Sequence, residues 1–158
     1  MLQRLFDGAD VVILSDYGKG GLAHIADMIA AANAAGKQIL VDPKGSDYTR
    51  YRGATIITPN RNELAQVVGA WASEADLERR AQELRAALGF EALLLTRSEE
   101  GMTLFREEGK LHMRAAAREV FDVSGAGDTV IAALAVALDC PWLLVAAVSI
   151  MNRIIVET

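Results

Sequence analysis

The chain has 158 residues, a net charge of −5, 52% hydrophobic residues and 23% charged residues. That length supports one domain with a real core, and the composition excludes a disordered chain. The acidic balance argues against a nucleic-acid partner, which favours a basic face. Cys140 stands alone, which excludes an internal disulfide and fits a reducing cytoplasm.

Met1 to Asp7 lacks the apolar core of a signal peptide. Val11 to Ser15 is a short continuous apolar run, the pattern of a buried parallel strand. It opens into the loop Asp16 to Gly21, and Leu22 to Ala35 follows as a helix ended by Gly36. Gln38 to Val41 is the next strand, then Asp42-Pro43-Lys44-Gly45, then a polar and aromatic stretch, Ser46 to Arg52, with a helical turn. Ala54 to Thr58 reads as a third strand ending at Pro59-Asn60, and a helix runs from Arg61 to Val68 and stops at Gly69. Ser73 to Leu88 is a further helix, opened by Ser73 with Asp76 at capping-box spacing. Ala92 to Thr96 is a fourth strand. Met102 to Phe105 and Leu111 to Arg114, joined by Glu107 to Lys110, form a hairpin.

Glu119-Val120-Phe121 is another short strand, and Thr129 to Leu138 reads as a buried helix. From Val130 to Met151 the chain is long and apolar enough to reach the ~20 residues of a bilayer span. Asp139 and Pro141 interrupt it, so two buried helices are expected and no membrane association. No linker, repeat or low-complexity tract appears, so residues 1–158 read as one domain. The order of elements predicts an α/β fold with a mainly parallel sheet.

Asp16, Lys19, Asp42, Lys44, Asn60, Thr96, Arg97 and Asp122 all follow predicted strand ends. Open α/β sheets bind ligands in the crevice outside those ends. Lys19, Lys44, Arg61 and Arg97 would there make an anion-friendly patch on an acidic chain. Between a strand and a helix lies Asp122-Val123-Ser124-Gly125-Ala126-Gly127-Asp128. Its glycines allow a sharp turn, and the freed amides at the helix start suit an anion. With Asp128 inside the first turn, a base stands beside an anion cup, an arrangement for phosphoryl transfer. A plain glycine turn, with Asp128 favouring the helix dipole, fits the same residues. Asn60-Arg61-Asn62-Glu63 is also open to two readings. It has the spacing of a helix capping box, and Glu63 acting through water suffices for magnesium, which keeps several waters.

There is no G-x-x-x-x-G-K-[ST] loop and no G-x-G-x-x-G after a strand. His24 and His112 fall on separate elements and suggest no metal pair, while Cys140, Trp71 and Trp142 read as packing residues.

D-V-S-G-A-G-D-T at 122–129 resembles the C-terminal signature of the PfkB (ribokinase-like) carbohydrate kinases. The resemblance implies a three-layer α/β/α ribokinase-like core, ATP and Mg2+ as cofactors, and nucleotide and sugar-phosphate partners. It makes Asp128 the base on the acceptor hydroxyl and assigns the transferred phosphate to the amides of Gly125, Ala126 and Gly127. Asn60, Arg61, Asn62 and Glu63 are similar to the family's N-x-x-E motif, which positions magnesium and the nucleotide phosphates. Thr96 to Gly101 stands where the family often has a T-x-G-x-x-G nucleotide loop, with Ser98 in place of the middle glycine. A polar loop entering a hairpin is the alternative.

The loops Ser15 to Gly20, Val41 to Gly45, Tyr51 to Thr55 and Thr58 to Asn60 are similar to one branch of that family. Thr96 to Glu99, Gly101-Met102 and Leu111 to Met113 match it too. This branch comprises the D-glycero-β-D-manno-heptose 7-phosphate kinases of ADP-heptose and lipopolysaccharide core biosynthesis, often fused to an adenylyltransferase. The resemblance implies substrate contacts at Asp16, Lys19 and Lys44, a lysine meeting a phosphate. A whole kinase domain of the family is about twice as long, so the chain corresponds to its nucleotide-binding half, without the lid or most sugar contacts. Ser149 to Arg153 replaces a run of small residues expected at the adenine pocket. Self-association through uncovered apolar surface is expected. Two alternatives follow: a non-catalytic, oligomerising remnant, and a kinase of the same family for another sugar phosphate.

Overall fold

The computed structural model describes residues 8–16 and 24–114. Among the described residues, six strands form one sheet in sequential order: β1 (Val11–Ser15), β2 (Gln38–Asp42), β3 (Ile56–Ile57), β4 (Ala92–Thr96), β5 (Met102–Arg106) and β6 (Gly109–Met113). The first four run parallel, and the β5–β6 hairpin is antiparallel. Three helices connect them: α1 (Ile25–Ala34), α2 (Arg61–Val68) and α3 (Glu74–Leu88).

The register explains how the core is built. Leu14 pairs with Val41, Val41 with Ile57, Ile57 with Leu93 and Leu93 with Phe105, so one apolar row crosses the sheet on one face. Against that row pack Ile25, Ile29 and Ala32 of α1, Leu64 of α2, and Leu77, Ala81 and Leu88 of α3. Their spacing of three, four or seven residues is the apolar stripe of a core-facing helix. The alternate residues Leu40, Ile56, Leu94 and Leu104 are buried as well. Burial on both faces is why these strands read as continuous apolar runs instead of alternating ones.

Most boundaries match the expectation, α2 and β4 residue for residue. The third strand is shorter than the predicted Ala54 to Thr58 because Thr55 pairs through its side chain. Its Oγ1 accepts from Ile39 N–H at 2.8 Å, and its carbonyl receives both Glu91 and Ala92 N–H groups. The hairpin turn is tighter than predicted, since Arg106 already pairs with Gly109. The predicted polar stretch contains a 3-10 turn at Tyr48–Tyr51.

Helix α3 starts as its sequence predicts, with Ser73 Oγ accepting from Asp76 N–H at 3.1 Å. Its end uses Gly89 in the left-handed region at φ 72°, which lets Phe90 N–H reach the Arg85 carbonyl at 3.0 Å. Phe90 is then buried under the last turn. Hydrogen bonds from Arg79, Arg80 and Ala72 N–H pull the Asp76 carboxyl down to about 2 from an ordinary 3.8. The unfolded chain therefore binds more protons in that interval. The stabilisation is complete above about pH 5 and fades as the pH falls towards about 2. Urea midpoints should drop on this acid limb, and Asp76→Asn should be less stable at pH 7 with a flatter limb. An unchanged slope in Asp76→Asn would contradict the assignment.

Among the described residues no helix is long and apolar enough to cross a membrane. The apolar stretch Val130 to Met151 lies outside them.

Candidate active site

Because β1 to β4 are parallel, their C-terminal ends share one edge, and the chain leaves that edge four times. Asp16 follows β1, Lys44 follows β2, Asn60 follows β3, and Thr96 closes β4. Thr96 N–H donates to the Pro59 carbonyl at 3.0 Å, so Asn60 and Thr96 remain side by side past the end of β3.

A buried tyrosine joins the first two exits. Tyr51 Oη lies 2.7 Å from Asp16 Oδ2 and 3.0 Å from the Lys44 carbonyl, and accepts from Lys44 N–H at 3.1 Å. Burial, with the Asp16 hydrogen bond and charge adding to it, pushes the phenol up to about 12, so it keeps its proton and donates. Arg50 NH1 sits 3.4 Å from the same Asp16 oxygen, and its guanidinium lies over the Tyr51 ring at 5.6 Å. The ammonium of Lys44 donates to Glu63 Oε1, and that hydrogen bond raises the lysine above its ordinary value despite burial. Lys44 and Arg50 also line a cavity of about 370 Å³ with Ile25, Ser46 and Asp47, the size of a small polar ligand.

Asn60 to Glu63 forms a complete capping box. Asn60 Oδ1 accepts from Glu63 N–H at 2.9 Å, and Glu63 Oε2 accepts from Asn60 N–H at 2.8 Å. Glu63 is thus buried with a proton donor on each oxygen, while Arg61 and Asn62 are exposed. The remaining lone pairs can still take hydrogen bonds from a hydrated cation, whereas direct ligation at Oε1 requires Lys44 to leave. Among the described residues no group of three or more His, Cys, Asp or Glu side chains could hold a metal.

The loop after β4 keeps a glycine-type backbone. Ser98 has φ 50°, and Gly101 has φ 89° and ψ −131°. Arg97 N–H donates to the Gly101 carbonyl at 2.8 Å, and Gly101 N–H to the Ser98 carbonyl at 2.9 Å. A serine in the left-handed region costs about 1–2 kcal/mol, while glycine there loses ~0.5–1 kcal/mol more chain entropy on folding. Ser98→Gly should therefore match the parent or gain up to about 1 kcal/mol. The β-branched Ser98→Val should lose about 2 kcal/mol. Urea denaturation orders the three, and Val above Gly would contradict the strain.

The anion-friendly patch needs correction. Arg97 turns inward, is 5% exposed, and forks onto Glu74 with NH1 at 2.9 Å and NH2 at 2.6 Å. Arg61 pairs with Glu100, and Lys44 with Glu63. Each of these three cations is matched by a carboxylate, and for the buried Arg97 desolvation without a partner would be costly. Lys19 and the proposed catalytic group Gly125, Ala126, Gly127 and Asp128 lie outside the described residues. Tyr51, Arg50, Glu74 and Glu100 were missed as members of this edge. No local pattern points an aromatic hydroxyl at a carboxylate 35 residues away.

A mainly parallel sheet whose loops converge at one edge fits a small-molecule kinase, and the chain belongs to the pfkB family of carbohydrate kinases, whose model matches residues 4–152. Among curated relatives, it is 56% identical over 151 residues to the bifunctional protein HldE of Shewanella amazonensis, covering 95% of this chain and 32% of that protein. It is 59% identical over 127 residues to the D-beta-D-heptose 7-phosphate kinase of Bordetella bronchiseptica, covering 80% of this chain and 41% of that enzyme. The chain thus spans less than half of these relatives. Arabidopsis thaliana ribokinase, solved with ribose and ATP, superposes with a TM-score of 0.79 at 22% identity, covering 95% of this chain and 49% of the other. Escherichia coli phosphofructokinase-2, solved with substrates and products, gives 0.77 at 19% identity, covering 90% and 48%. The fold is that of the ribokinase-like proteins.

Proposed function

We propose that the chain carries the nucleotide-binding part of a heptose 7-phosphate kinase, which moves the γ-phosphate of ATP to the anomeric hydroxyl of D-glycero-β-D-manno-heptose 7-phosphate. The observation that carries this reading is the 59% identity to a D-beta-D-heptose 7-phosphate kinase. The convergence of Asp16, Lys44, Asn60, Glu63 and Thr96 at one sheet edge supports it.

In the reaction the bond from the γ-phosphorus to ADP breaks, and a bond to the anomeric oxygen forms. Asp128 accepts the hydroxyl proton, and the amides of Gly125, Ala126 and Gly127 hold the oxygens of the transferred group. Asn60, Arg61, Asn62, Thr96 and Gly101 serve the nucleotide, and Glu63 would hold hydrated magnesium. Bound magnesium would supply charge neutralisation between the phosphates. Asp16, Lys19 and Lys44 face the sugar phosphate. Residues 1–158 act as a single partial domain, and copies associate in solution.

Titration calorimetry with magnesium-ATP and then with heptose 7-phosphate tests the reading, alongside phosphorus NMR of the product. Binding of both ligands with transfer supports the kinase, and no binding of either overturns it. A second reading, nucleotide binding without sugar turnover, is favoured by the chain spanning only 41% of the Bordetella enzyme. It predicts a nucleotide isotherm and a flat sugar titration.

A further inference from the structure

Two of the segments assigned above to the nucleotide are joined by an ion network that runs through the helix layer. Arg97, the first residue of the loop after β4, sends its guanidinium under that loop to α3. Both terminal nitrogens meet Glu74 in the first turn of α3, NH2 also reaches Glu100, and NH1 lies 3.4 Å from Thr103 Oγ1. Glu100 in turn binds Arg61, the first residue of α2 and the neighbour of Asn60. Arg61 is also stacked on Trp71, 5.9 Å from the ring centre, in the connection from α2 to α3. The order Glu74–Arg97–Glu100–Arg61 therefore ties α3, the 97–101 loop and the start of α2 into one unit.

The charges are set for this. Arg97 is held above its ordinary value by Glu74, and Arg97 holds the Glu74 carboxyl below its own. Burial pushes the Glu100 carboxyl up, but Arg97 and Arg61 outweigh that and hold it low. The fork geometry is specific to arginine, since a lysine cannot meet Glu74 with two parallel donors.

We propose that Arg97 and Glu100 are positioning residues that set the spacing between the 97–101 loop and the Asn60 end of α2, and so fix the width of the nucleotide cleft. The inference rests on the kinase reading. Neither side chain needs to touch the nucleotide. A small misplacement of binding groups is costly because oriented contacts depend on sub-ångström placement.

The test is magnesium-ATP calorimetry on the full chain, well below its Tm, with Arg97→Met, Glu100→Gln and Arg52→Met. Arg52 donates to the Ala87 carbonyl at 2.8 Å at the opposite edge of the sheet, so its variant removes a tie remote from the loop. Arg97→Met and Glu100→Gln should each weaken ATP about tenfold, which is ~1.4 kcal/mol. Amide exchange at Glu100 and Gly101 should also quicken in both. Arg52→Met should keep the parental affinity. If Arg97→Met fails to fold, Glu100→Gln decides, because Glu100 is partly solvated. Parental affinity in the folded variants overturns the positioning role and leaves the kinase reading intact. A parent chain that binds no nucleotide overturns the kinase reading itself and this inference with it.

Discussion

Asp128→Asn should lower phosphate transfer to heptose 7-phosphate by about 10²–10⁴-fold, the usual loss when a general base is removed. Magnesium-ATP should still bind, because the amide cup proposed for Gly125 to Gly127 does not depend on the carboxylate. A side-chain amide cannot take up the hydroxyl proton but has almost the same shape. The loss should thus appear in kcat, with little change in the ATP isotherm. Equal turnover in the two proteins would remove Asp128 from the mechanism. Lost ATP binding would point to a structural role instead.

Leu93→Ala should cost about 2–5 kcal/mol. Leu93 is fully buried in the central strand β4, between Ile57 on one side and Phe105 on the other. Removing three carbons there leaves a void that a sheet fixed by hydrogen bonds on both edges cannot close. A typical domain has only ~5–15 kcal/mol of stability, so the variant should have a much lower urea midpoint. Leu111→Ala, on the exposed face of the hairpin, should stay within about 0.5 kcal/mol of the parent. Similar midpoints for Leu93→Ala and Leu111→Ala would contradict the packing described for the apolar row.

How much of this could be read beforehand depended on the range of the interaction. Helix α2 was legible to the residue because both of its ends are written locally, by Asn60 with Glu63 and by Gly69. Strands β2 and β4 were legible because double burial leaves continuous apolar runs, whereas β1 has the same kind of run and yet leaves Ile13 exposed on one face. The third strand came out too long, since nothing in Ala54 to Thr58 reveals that a threonine hydroxyl takes over one ladder bond. Asp16, Lys44, Asn60 and Thr96 were placed at one edge by topology alone, and the structure puts them there. The sense of the charges was not legible. Arg97 reads as a loop cation, but its partner Glu74 lies 23 residues upstream, and only the packing of α3 on β4 and β5 brings them together. Tyr51 was hidden for the same reason.

The two duties of Glu63 bear on how this sequence can change over time. One carboxylate both starts a helix and seats Lys44. Replacing it would loosen the start of α2 and the seat of Lys44 as well as any chemistry. A descendant that had given up phosphate transfer would still be under pressure to keep the acid for its architecture alone. Survival of N-x-x-E in a lineage therefore records inherited scaffolding as well as activity, and the two histories separate only where the glycine-rich segment before Asp128 has been free to drift.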